Sequence, residues 1–168
     1  EHVVVPDNYT SVYPYAPGGR LPGGPSVNFP DPLIWLTWVA AATTRLRLMT
    51  AVMILPQRNP LVLAKEVATL DYLSGGRIEL GIGVGWLKEE FDALGIPFER
   101  RGKRADEYVA AMRALWASDG ASFAGEFVNF DKVNCNPKAG REIGADRRRW
   151  PLGSGRPSRR PAWRRLLP

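Results

Sequence analysis

A single histidine, His2, stands beside Glu1 and ahead of an apolar run, and two adjacent carboxylates, Glu89 and Glu90, follow a glycine-spaced turn far along the chain. Imidazole takes or gives a proton near neutral pH, and a carboxylate pair can supply acid chemistry. The turn closes residues 77–86, RIELGIGVGW, where Gly81, Gly83 and Gly85 alternate. Glycine lets backbone come close to something flat or anionic, and it equally suits a strand packed tightly inside a barrel. The spacing is GxGxG with an acidic stretch behind it, whereas a dinucleotide fingerprint opens directly into a helix. Cys135 is the one cysteine; it can form no internal disulfide and no metal site alone, so no metal is expected.

These groups need elements to hold them. Residues 1–30 are rich in proline and glycine, carry Tyr9, Tyr13, Tyr15 and Phe29, lack any period, and read as loop. Asp31 followed by Pro32 is a helix start, and Leu33, Ile34, Leu36, Trp38 and Val39 give an apolar face to about Ala42. A strand is expected over 46–55, then a stiff polar loop between Pro56 and Pro60. A helix over 61–73 follows, with Leu61, Ala64, Val67, Ala68 and Tyr72 near helical spacing and Ser74-Gly75-Gly76 closing it. The strand 77–84 makes this a parallel crossover unit. Residues 87–97 read as irregular, 104–116 as a helix with Tyr108, Met112, Leu115 and Trp116 on one side, and 123–130 as a small hairpin.

With 168 residues, 45% hydrophobic and 10% aromatic, the chain suits one globular domain. No run of about 20 apolar residues exists to cross a bilayer, and no signal peptide or anchor is read. The net charge of +6 suggests nucleic acid until its distribution is seen: residues 141–168 carry +7 through nine arginines against two acids, leaving the rest at −1. From about Ala139 the chain is arginine- and proline-rich without period. The segment 139–168 reads as a basic arm for nucleic acid or acidic lipid, as disordered tail, or as translation in a shifted frame.

In this order Glu1-His2, LPQRNP (55–60), LAKEVATLDYLSGGRIELGIGVGW (63–86), EEFDALG (89–95) and RGKRADEY (101–108) resemble the luciferase-like monooxygenase superfamily. More narrowly they are similar to its actinobacterial branch that uses the deazaflavin coenzyme F420. The resemblance covers residues 1 to about 138 and implies the α/β class: part of a TIM (β/α)8 barrel of the bacterial luciferase type. In it Glu1-His2 ends the second strand, 46–55 is the third and 77–84 the fourth. The start of the barrel would lie upstream, and the fifth strand has no counterpart in 139–168, which favours the shifted-frame reading of that tail.

Active sites of such barrels lie at the carboxyl ends of strands, so the resemblance implies His2, Glu89 and Glu90 as acid/base groups. Ala51, Val52 and Met53 stand where the family has a non-proline cis peptide behind the ring. Gly83, Val84, Gly85 and Trp86 would wall one ring face. Tyr13, Tyr15 and Trp35 are candidates for the substrate pocket. The implied activity is hydride transfer between F420 and a small organic substrate, with a flavin mononucleotide (FMN) monooxygenase as the alternative. From other classes come an inactive fragment and a nucleic-acid-binding basic tail. The expected setting is cytoplasmic, with a small-molecule substrate, no nucleic acid or membrane partner, and a homodimeric parent.

Overall fold

The computed structural model describes residues 1–140. After an irregular first 30 residues the chain forms α1 (Pro32–Ala42), β1 (Leu48–Met49), β2 (Met53–Ile54), a 3-10 turn (Leu55–Gln57) and α2 (Pro60–Ser74). There follow β3 (Ile78–Glu79), β4 (Ile82–Gly83), α3 (Lys88–Ala93), α4 (Arg101–Ala117) and the hairpin β5 (Ala121–Ala124) and β6 (Asn129–Val133). β1 pairs with β3 and β2 with β4, both parallel; α2 is the crossover that parallel pairing demands.

The helix starts follow from capping. Asp31 Oδ1 accepts from Leu33 N at 2.9 Å and Ile34 N at 3.1 Å, and Asn59 Oδ1 does the same for Leu61 N and Val62 N, each satisfying donors the first helical turn leaves free. Gly75, at φ 69°, ends α2 in the left-handed conformation glycine adopts without a Cβ clash.

Each expected strand is broken into two short ladders. Leu48 lies opposite Ile78, whereas Met53 lies opposite Ile82, so the first strand holds one residue more than its partner between them. An extra residue of this kind is a bulge, and the Ala51–Val52 peptide within it is cis. Thr50 partly mends the ladder: its N donates to Glu79 O at 3.2 Å and its hydroxyl to Gly81 O at 2.7 Å. A bulge leaves no mark on an apolar run, so residues 46–55 read as continuous.

Leu48, Met53, Leu55, Leu63, Ala64, Val67 and Ala68 are buried with Met112, Leu115 and Trp116 of α4. Trp116 Nε1 donates to Ala64 O at 3.0 Å, giving the indole the partner it needs when buried. α2 buries Leu63 where Tyr72 was expected; Tyr72 lies on the outer side. On α1 only Leu33 and Ala40 are buried, and Ile34 and Trp38 face outward at 75% and 77% exposure. An all-round apolar helix does not announce which side meets a sheet. α4 begins at Arg101, three residues before the expected start, and residues 88–93 are helical where loop was expected, because Glu90 and Phe91 are buried together. No strand forms at Glu1-His2. Instead the Glu1 carboxylate accepts from Ile54 N at 2.8 Å, a side chain standing where a neighbouring strand's carbonyl would.

The ordered packing runs to the end of the described residues: Ala139 is in the core, and Gly140 N donates to Asp71 Oδ2 at 2.7 Å. Of the segment 139–168 set apart in the sequence, residues 141–168 with all nine arginines lie outside the described residues. Among the described residues no helix is long and apolar enough to cross a membrane.

Candidate active site

A cleft of about 360 Å³ opens at the carboxyl ends of β2 and β4. Its volume is within the roughly 300–1,000 Å³ of pockets that take a drug-sized ligand. One wall is Ala51, Val52 and Ile54; another is the backbone run Gly83, Val84, Gly85 and Trp86; His2, Glu1, Phe29, Leu21, Tyr13 and Tyr15 complete it.

The alternating glycines owe their identity first to the protein's own packing. A Cβ on Gly81 would sit 2.1 Å from Thr50 O, and one on Gly83 would sit 2.7 Å from Val52 Cγ2. Gly85 has φ +81° and faces Phe91 Cε2 at 2.7 Å and Ile54 Cγ2 at 2.9 Å. The tight approach required by packing is also what presents Val52 and the 83–86 backbone side by side on the cleft.

His2 is 8% exposed. Its ring is met edgewise by Phe29 at 5.7 Å and by Trp86 at 5.6 Å between centroids, and its Nδ1 is 2.9 Å from Glu90 Oε2. Glu90 is fully buried and its other oxygen, Oε1, accepts from Val3 N at 2.6 Å and Val4 N at 3.3 Å. Burial opposes ionisation of this carboxyl. The bond from His2, the Gln57 side chain, the charge of His2 and the bond from Val3 N together outweigh it and hold Glu90 below the usual carboxylate range.

Glu89 points away from the cleft. Its carboxylate gathers the 10–11 segment: Oε1 accepts from Thr10 N at 2.6 Å, Thr10 Oγ1 at 2.9 Å and Ser11 N at 3.1 Å, and Oε2 from Ser11 Oγ at 2.7 Å. Led by the Ser11 hydroxyl, these bonds lower its pKa from 4.5 to about 2. Because the folded value lies below the ordinary one, the tie holds fully above about pH 4.5 and is lost as pH falls from there toward 2. Protection of the Thr10 and Ser11 amides, taken relative to the intrinsic exchange rate at each pH, should therefore fall on acidification through that window, and Glu89→Gln should remove the acid step. Protection that stays flat across the window in the unaltered protein would rule the linkage out.

Of the residues singled out in the sequence, His2, Tyr13, Tyr15, Ala51, Val52, Gly83, Val84, Gly85 and Trp86 come together on the cleft. Four do not. Met53 is fully buried in the core because its side chain alternates away from Val52. Trp35 is 57% exposed on α1, since that helix turns Leu33 and Ala40 inward. Glu89 and Glu90 sit behind the wall as anchors, because α3 turns Glu90 inward and lays Glu89 against 10–11. Glu1, Leu21, Phe29 and Ile54 are cleft residues that sequence reasoning did not assign as site residues. No local signal marks Leu21 or Phe29 within an aperiodic loop. Arg58 secures this end of the site: its Nη2 donates to Asp31 Oδ2 at 2.8 Å and to Glu1 Oε1.

A strand–helix–strand crossover with its cleft at the strand carboxyl ends is the repeating unit of a TIM (β/α)8 barrel. The luciferase-like monooxygenase family model matches residues 1–167. The chain belongs to that family. It is 37% identical over 101 residues to an FMNH(2)-dependent dimethylsulfone monooxygenase of Pseudomonas putida, covering 58% of this chain and 28% of that one. Among solved structures, monooxygenase RslO1 from Streptomyces bottropensis superposes with a TM-score of 0.64 at 36% identity, covering 73% of this chain and 36% of RslO1. The coenzyme F420-dependent tetrahydromethanopterin reductase from Methanopyrus kandleri gives 0.54 at 25%, covering 62% and 34%. The chain spans about half the length of the curated relatives it matches, 49% where 138 residues align.

Proposed function

We propose that this chain supplies the ring-binding wall and the proton-handling group of a flavin- or deazaflavin-dependent oxidoreductase acting on a small organic molecule, with coenzyme F420 as the cofactor. The observation that carries this reading is the single cleft on which the Glu90-anchored His2 ring shares space with the 83–86 backbone and the Ala51–Val52 peptide. These residues fit a flat tricyclic group. Glycine at 83 leaves no side chain of its own beside Val52, so a planar ring can lie against peptide groups there. Val52 and Ile54 give the apolar contact such rings take.

The bound cofactor supplies the redox chemistry. The chain's own part is positional and acid–base. The cleft wall orients one ring face; Phe29 and Trp86 enclose His2 and limit water around it; His2 accepts or returns the proton that accompanies oxidation or reduction of the substrate. Tyr13 packs on Trp86 at 5.1 Å and on Tyr15 at 5.6 Å, giving the substrate an aromatic entrance. The F420-dependent reductase of Methanopyrus kandleri supports the deazaflavin form of the reading. The 37% identity with an FMNH(2)-dependent monooxygenase favours FMN as the second form.

Titration decides between them. Tryptophan emission should be quenched on adding F420 to the protein, with the Trp86 share identified as the part lost in Trp86→Phe, and the quenching should saturate at a lower concentration than with FMN. Tighter saturation with FMN would move the assignment to the monooxygenase form. No response to either cofactor would overturn the reading.

A further inference from the structure

We infer that Glu90 is a positioning residue that fixes the tautomer of His2, placing the ring proton on Nδ1 and leaving the Nε2 lone pair toward the cleft. The geometry stands by itself; only the use made of Nε2 rests on the proposed function.

The argument is one of donor and acceptor accounting. An ionised carboxylate only accepts hydrogen bonds, while a neutral imidazole has one donor nitrogen and one acceptor nitrogen. Glu90 is fully buried and held in the ionised form. Its Oε1 is committed to Val3 N and Val4 N, the Gln57 side chain acts on the same carboxylate, and Oε2 is the oxygen that meets the ring. A separation of 2.9 Å between Nδ1 and Oε2 is a hydrogen bond. The proton in it has to come from Nδ1, and Nε2 becomes the acceptor.

The arrangement cannot easily turn over. Glu90 lies on α3, whose next residue, Phe91, is fully buried against Gly85. The carboxylate that orients the ring also accepts from the backbone N–H groups of Val3 and Val4, so His2 and the segment after it are fixed by one group. When Nε2 takes a proton from a substrate O–H, that bond breaks, an N–H bond forms, and the resulting imidazolium remains paired with Glu90. A buried carboxylate holding a histidine in one tautomer and stabilising its cationic form is a recurring acid–base device.

The tautomer is directly observable, because His2 is the only histidine in the chain. With 15N-labelled histidine, long-range 1H–15N spectra at alkaline pH should show a protonated Nδ1 and a bare Nε2. In Glu90→Gln the Val3 and Val4 N–H groups still need an acceptor, so the amide oxygen keeps the Oε1 place and the NH2 group faces Nδ1. His2 is then forced to the opposite tautomer, with the proton on Nε2. A merely structural role for Glu90 would not reverse the two nitrogen shifts. The inference is overturned if the unaltered protein shows protonated Nε2 or the averaged shifts of an unconstrained imidazole. It is equally overturned if folded Glu90→Gln keeps the proton on Nδ1. Should that variant fail to fold, the spectrum of the unaltered protein decides. No cofactor is present in this measurement, so its outcome is separate from that of the cofactor titration.

Discussion

Gly81→Ala is expected to destabilise the protein by about 3 kcal/mol or more, at the upper end of overpacking costs. The added methyl carbon would stand 2.1 Å from Thr50 O, an atom of the neighbouring strand's backbone and not the tip of a side chain that could swing aside. The only relief is to push β1 and β3 apart. That separation also weakens the Thr50 hydroxyl bond to Gly81 O and the Met53 N bond to the same carbonyl, at 2.7 and 2.9 Å. Gly102 provides the contrast. A Cβ there meets nothing within 4 Å, and alanine in place of glycine inside α4 should stabilise by up to about 1 kcal/mol through helix propensity. Denaturant midpoints of the two variants should move in opposite directions. Equal midpoints would show that the close approach at Gly81 is not tight in solution.

The second large effect concerns activity. In the assembled enzyme His2→Asn should lower turnover by a factor on the order of 10²–10⁴, the usual worth of a positioned general acid or base. Cofactor affinity should change little, because the ring wall at 51–54 and 83–86 is untouched. Asparagine keeps a polar group near Glu90 without an imidazole to carry a proton, so the loss should fall on the chemical step. Stopped-flow measurement of cofactor oxidation or reduction, beside the binding titration, separates the two. Unchanged turnover would remove His2 from the chemistry while leaving the wall assignment standing.

Both effects arise where the chain packs most closely, and both bear on how much could be read in advance. Asp31-Pro32 signals a helix start because a cap acts on amides two and three residues away, a relation written wholly within a short window of sequence; Asn59 caps α2 in the same way although 56–60 read as loop. The alternating Gly81, Gly83 and Gly85 marked a site of close approach for the same kind of reason. What they approach was not legible. Gly81 faces Thr50, Gly83 faces Val52 and Gly85 faces Phe91 and Ile54, and these neighbours depend on a register that slips by one residue at a bulge.

The acidic pair shows the same division. Glu89-Glu90 reads as two carboxylates behind a turn, equally suited to the surface or to a cleft. A six-residue helix turns them in different directions, so one gathers Thr10 and Ser11 while the other is buried under His2. Trp35 and Trp38 mislead for a related reason: α1 is apolar nearly all round, and only contact with α2 and β1 chooses Leu33 and Ala40 as its inner side.

Residue order alone therefore established the crossover of strands and helices, the capped helix ends, the neutral body with its basic end, and a family resemblance borne by runs such as LPQRNP and RIELGIGVGW. Those properties depend on interactions within a few residues, or on patterns that survive as strings. Folding alone decided that His2 meets Glu90 across 88 positions of chain, that Met53 turns into the core while Val52 faces the cleft, and that the glycines serve packing before any ligand. Such pairings are set by which surfaces exclude water together, and no local propensity encodes them.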